Sequence, residues 1–140
     1  MGVTIACNKT RDSIDMGAGG FLRLRRKISD LCGEPWAAHY RELTDGSAIR
    51  DDAWYEDFDR KTLSLIEQKA VHIKIADFLL QSDVKGRIRY GACKEILKVI
   101  GDYDDNILYG YAGLPDCARF RDFKRLLHLC VENKCDLVWL

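Results

Sequence analysis

Between positions 120 and 131 the residues Phe120, Phe123, Leu126, Leu127, Cys130 and Val131 recur at helical steps of three and four, a spacing that places them on one arc of a helix. A stripe this apolar has to be covered, so the rest of the chain must supply elements that pack against it. Further segments carry the same period. Over 21–32, Phe21, Leu24, Ile28, Leu31 and Cys32 share an arc, with Arg23, Arg26, Lys27 and Asp30 opposite. Gly33 then stands where a helix ends, and Pro35 suits the first turn of a short second helix over 35–43 with Trp36, His39 and Tyr40. Over 90–100, Ala92, Cys93, Ile96, Leu97, Val99 and Ile100 point inward and Lys94, Glu95 and Lys98 outward.

The stretch from Asp51 to Leu80 reads as one long central helix with an acidic entry and two apolar stripes. One stripe holds Leu63, Ile66, Ala70, Ile73 and Leu80, the other Val71, Ile75, Phe78 and Leu79. A competing reading takes 71–75 as a strand because apolar and polar residues alternate there. The last helix is expected to open at Pro115 and run to Glu132. Strand character is confined to the two ends, 3–7 and 136–140, which are expected to pair. Segments 8–20, 44–47, 81–86 and 101–113 read as loops or turns. The expected architecture is α+β and predominantly α: a single domain over 1–140, with four to five helices and a small β-ribbon formed by the chain termini.

With 47% hydrophobic and 31% charged residues the chain has the composition of a folded protein. Lysine plus arginine equals aspartate plus glutamate at 22 each, so no global field draws it to nucleic acid or an anionic membrane, and specific nucleic-acid binding is not expected. It shows no basic leader followed by an apolar run and no apolar stretch of about 18 residues, which points to the cytoplasm. The six cysteines, Cys7, Cys32, Cys93, Cys117, Cys130 and Cys135, form no Cys-x-x-Cys pair. They are expected as free thiols on apolar faces.

Candidate chemistry is sparse. Gly19 and Gly20 lead into the first helix, where backbone N–H groups either cradle an anion or simply make a tight turn. Arg119 falls inside the apolar arc of the last helix, so it must meet an anion, either a ligand phosphate or carboxylate or one of the aspartates. Tyr109, in the tyrosine-rich loop, can stack on a base or cap the core. Arg23, Arg26, Arg121 and Arg125 make basic helix faces. His39, His72 and His128 show no ligand spacing, and no nucleophile motif or P-loop is present. The acidic loop from Asp102 fails as a calcium site, with Ile107 and Gly113 where glycine and glutamate are required. No metal, cofactor or catalytic residue is therefore assigned, and an enzyme is the less favoured reading.

Gly20-Phe21-Leu22-Arg23-Leu24-Arg25, the pair His39-Tyr40, Phe78-Leu79-Leu80-Gln81-Ser82-Asp83-Val84-Lys85-Gly86 and Phe120-Arg121-Asp122-Phe123 together resemble a family of small uncharacterised bacterial and phage proteins. The family's central motif reads Phe-Leu-x-His-Ser-Asp-Cys-Asp-Gly. Ser82, Asp83 and Gly86 match it, whereas Gln81, Val84 and Lys85 replace its histidine, cysteine and second aspartate. The resemblance implies that any chemistry of the motif is lost in this chain, and it brings no function with it beyond a phage context.

The expected function is non-catalytic binding of phage or prophage type: capture of a phosphate-bearing small molecule, such as a nucleotide immune signal, in anti-defence sequestration. Gly19, Gly20, Arg23, Arg26, Ser82, Asp83, Tyr109, Arg119, Arg121 and Arg125 form the expected ligand-binding set. The partner is then a small anionic, nucleotide-like ligand, with a homo-oligomer compatible. Two alternatives are a protein-binding inhibitor of a host enzyme and a small hydrolase using Asp83 with His72 or His128.

Overall fold

In β1 (Gly2–Cys7), Val3, Ile5 and Cys7 are buried while Gly2 and Thr4 face outward, the alternation of a strand covered on one side. A computed structural model of the protein describes residues 2–45, 49–110 and 117–140. The first strand is followed by β2 (Ser13–Gly17), α1 (Ala18–Cys32), α2 (Trp36–Thr44), α3 (Asp52–Glu67) and α4 (Ile73–Leu80). Then come β3 (Gly86–Ile88), α5 (Tyr90–Ile100), α6 (Phe120–Asn133) and β4 (Leu137–Trp139).

The chain is α+β and predominantly α. The terminal strands pair as expected, with Ile5 opposite Trp139 and Cys7 opposite Leu137. The ribbon is nevertheless wider than the termini alone, an antiparallel sheet in the order β2-β1-β4-β3. Residues 13–17, expected as loop, form an edge strand with Ile14 and Met16 turned into the core.

Six helices appear among the described residues, because the long central helix is broken. Lys69 takes a left-handed conformation at φ +60, and His72 restarts the chain as the N-cap of α4, its imidazole accepting from the Lys74 N–H. The break resets the helical phase, so the two expected stripes do not survive together. Val71, Ile75, Phe78 and Leu79 are buried, but Leu63 and Ile73 are 62% and 60% exposed. The strand reading of 71–75 fails as well, since α4 begins inside it. The turn at 44–47 lies partly outside the described residues, as do Tyr111, Gly113 and Pro115. The last helix begins at Phe120, with Arg119 as its N-cap.

The core lies where α1, α4 and α6 meet the inner face of the sheet. Phe21, Phe78 and Trp139 pack with ring centroids 5.5–6.2 Å apart, and Phe123 stacks on Phe78 at 6.0 Å. Cys7 and Cys135 are joined as a disulfide, which corrects the expectation of free thiols for those two. Pairing of the terminal strands brings them together although they lie 128 residues apart.

Candidate functional site

Arg25, in the second turn of α1, is 2% exposed. Its stem and guanidinium lie over Phe21 and Phe78, at 5.3 and 5.6 Å from the ring centroids. One guanidinium nitrogen, Nη2, donates to the carbonyls of Phe78 at 2.8 Å, Leu79, and Gln81 at 2.6 Å. These carbonyls end α4, where four acceptors lack intrahelical partners and the helix dipole favours a cation. Burial lowers the guanidinium's proton affinity from its ordinary value, while Tyr40 and Asp83 raise it. Arginine remains charged under such conditions.

Arg25 thereby anchors the wall of a cavity of about 710 Å³, bounded by α1, the end of α2, Arg50, Tyr55 and the segment after α4. Arg23, Arg25, Arg26 and Arg50 line it together with Tyr40, Tyr55, Ser82 and Asp83. Four arginines against Asp45 and Asp83 leave two net positive charges on the lining. The volume lies within the range of small-molecule sites. Arg26 pairs with Asp45 at 2.5 Å, whereas Arg23 makes long contacts among the described residues, 3.3–3.4 Å, to the carbonyls of Leu108 and Gly110. The Tyr40 hydroxyl donates to the Leu79 carbonyl at 3.3 Å, and burial pushes its pKa up.

The loop that presents Ser82 and Asp83 is pinned from both sides. Gln81 bonds through its amide to Asp77 and to both the N–H and the carbonyl of Arg87, at 2.8–3.0 Å. The Trp139 indole N–H donates to the Ser82 carbonyl at 2.9 Å. A Cβ at Gly86 would overlap the Trp139 ring, so the glycine there serves packing. Gln81, which stands in the histidine place of the resembled motif, is thus a structural clamp.

Arg23, Arg26, Ser82 and Asp83 are brought together in this cavity; the other expected site residues are not among its lining. Gly20 is buried where a Cβ would overlap the Tyr109 backbone, and the Gly17 N–H at the start of α1 donates to the Tyr109 carbonyl at 3.2 Å. Gly20 therefore opens α1 beneath a neighbouring segment, whereas Gly19 is exposed with open space around it. Tyr109 is itself buried, its hydroxyl donating to Asp105 at 2.7 Å.

Among the described residues the Arg119 guanidinium donates to the Asn106 carbonyl at 3.2 Å, and its backbone N–H donates to the Asp122 carboxylate. Arg121 binds Asp104 and Asn106, and Arg125 is exposed on α6. Sequence reasoning missed Arg25 and Arg50. Arg25 lies next to Leu24 and one turn from Phe21 and Ser29, so its burial could have been read from the helical phase.

A second cleft, of about 1120 Å³, lies between the starts of α4 and α5 and is lined by Lys74, Arg87, Arg89, Lys94 and Lys98, with Asp77 and Glu95. Arg87 and Lys98 are already paired, with Asp136 and Glu95 at 3.1 Å. It contains His72, whereas Asp83 lines the arginine cavity, and His128 is exposed on α6. The expected acid and base of a hydrolase thus do not share a cavity. Among the described residues, the sulfurs of Cys7, Cys130 and Cys135 lie within 4.8 Å of one another, with Cys7 and Cys135 joined as the disulfide. No described helix is long and apolar enough to cross a membrane. No protein-family model matches the chain, and neither a curated protein nor a solved structure does.

Proposed function

We propose that the chain is a binding protein that captures a phosphate-bearing small molecule in the arginine-lined cavity. The observation that carries this reading is the convergence of Arg23, Arg25, Arg26 and Arg50 with Tyr40 and Tyr55 on one cavity of ligand size. Guanidinium forks match the geometry of phosphate oxygens, and tyrosine faces accept a base or another flat ring. Arg25 is fixed by carbonyls and supplies permanent positive charge at the wall, while Arg23 is the arm able to turn toward an incoming anion. A nucleotide meets both requirements. Sequestration of a nucleotide immune signal in a phage-infected cell is the setting that the resemblance suggests for it.

Titration calorimetry with nucleoside monophosphates and cyclic dinucleotides tests the reading. Wild-type protein binds one of them, and Arg23→Ala weakens that binding by the worth of a charged hydrogen bond, about 1.5–3 kcal/mol, or roughly ten- to a hundredfold. Arg119→Ala leaves it unchanged. Binding that survives Arg23→Ala and disappears in Arg119→Ala would move the site to the start of α6 and refute the assignment.

A further inference from the structure

Three cysteines meet at one end of the sheet, and a fourth lies on the helix packed beside them. Cys7 closes β1, Cys135 precedes β4, Cys130 lies in the last turn of α6 and Cys93 in the first turn of α5. All four are buried. The sulfurs of Cys7, Cys130 and Cys135 are mutually within 4.8 Å, and Cys93 lies on α5, which packs against α6, where its side chain interacts with that of Cys130. Cys32, at the end of α1, is only half-buried.

Chance packing of small apolar side chains explains burial but not convergence of three sulfur atoms from separate segments. Adjacent ligands on a tetrahedral thiolate centre, with metal–sulfur bonds near ~2.3 Å, lie roughly 3.8 Å apart, a separation that the three-sulfur group accommodates. The Cα atoms of Cys7 and Cys135 are 6.7 Å apart, near the upper end of what a disulfide spans. Closed, fully buried four-sulfur centres are the form of structural zinc sites, and soft thiolates select zinc over hard cations.

We propose that in the reduced protein Cys7, Cys93, Cys130 and Cys135 bind a single Zn²⁺, and that the Cys7–Cys135 disulfide and the metal are alternative occupants of the same sulfurs. Reduction by a phosphine breaks the S–S bond; the phosphine is oxidised to its oxide with the oxygen of one water, and two thiols result. Zn²⁺ then binds the four sulfurs as each thiol releases its proton to solvent, with no change in oxidation state. The site is independent of the arginine cavity and its ligand.

The full chain, reduced with a phosphine, incubated with Zn²⁺ and desalted, is measured by native mass spectrometry and metal analysis. The expected result is one zinc per chain, displaced by Co²⁺ with the intense absorption of cobalt–thiolate charge transfer. Cys32→Ser takes up zinc as wild type does. Cys130→Ser, which keeps both partners of the disulfide, loses uptake, and Cys93→Ser loses the four-sulfur cobalt spectrum. Reduced wild type that takes up no zinc, a cobalt complex without thiolate absorption, or undiminished uptake in Cys130→Ser would each overturn the proposal. The wild-type measurements decide even where a variant fails to fold.

Discussion

Replacing Arg25 by methionine keeps an apolar stem against Phe21 and Phe78 and removes the donor shared by the carbonyls of Phe78, Leu79 and Gln81. A buried acceptor stripped of its donor costs about 1–3 kcal/mol, so Arg25→Met is expected to lower the unfolding free energy by at least that much, read as a lower midpoint in chemical denaturation. His39 provides a second test at this scale. Its ring stacks on Phe58 at 4.1 Å, and its Nε2 lies 2.8 Å from the Thr62 hydroxyl, which itself donates to the Phe58 carbonyl. Thr62 therefore accepts from the imidazole Nε2–H. Burial holds His39 below its ordinary value of 6.5, with Glu42 opposing and Lys61 assisting. Below that pH the unfolded chain binds a proton that the native one refuses. Stability from this group is fully present above about pH 6.5 and is lost as pH falls through the lower native value. In His39→Gln the corresponding part of the acid-side decline in melting temperature disappears.

At the scale of elements, the start of α6 shows why Arg119 misleads a reader of the sequence. Helical phase assigns it an inward direction, but it stands one residue outside the helix with extended backbone, so that phase does not apply. The Asp122 carboxylate accepts from the Arg119 N–H at 2.8 Å and closes the helix start. Asp122→Ala should therefore cost about 1 kcal/mol, read as a lower melting temperature with ligand capture intact. Helices 21–32, 90–100 and 120–131 were legible because each carries an unbroken apolar period, and so were the terminal strands. The break at Lys69 was not, because no glycine or proline marks the left-handed turn there. β3 is only three residues long, too short to display alternation. Of the site, the basic face of α1 and the Ser82-Asp83 loop were visible in sequence. Their meeting with Arg50 and Tyr55 depends on how α2 and α3 return to α1, which no local pattern encodes.

For the whole molecule, balanced charge means that attraction for an anion has to come from the cavity and not from a long-range field. Capture should accordingly weaken as salt is raised, while the protein shows no affinity for random-sequence DNA at physiological ionic strength; both are measurable by fluorescence anisotropy. Cys7 and Cys135 tie positions separated by 128 residues, so nearly the entire unfolded chain is constrained by one link. Reduction without added metal is expected to lower stability by about 2–4 kcal/mol, seen as a fall in melting temperature.

The strand order β2-β1-β4-β3 has a consequence for synthesis. β4 fills the gap between β1 and β3 and is reached only at Leu137–Trp139. During translation β1 and β3 therefore wait as open edges with no partner between them, and the Trp139 indole against which Gly86 packs has not yet been made. A ribosome that stalls after α6 would hold helices that can pair with one another beside a sheet in two unjoined pieces. The sheet is thus completed only once β4 has been made, and a nascent chain halted before β4 would be an easy target for proteolysis.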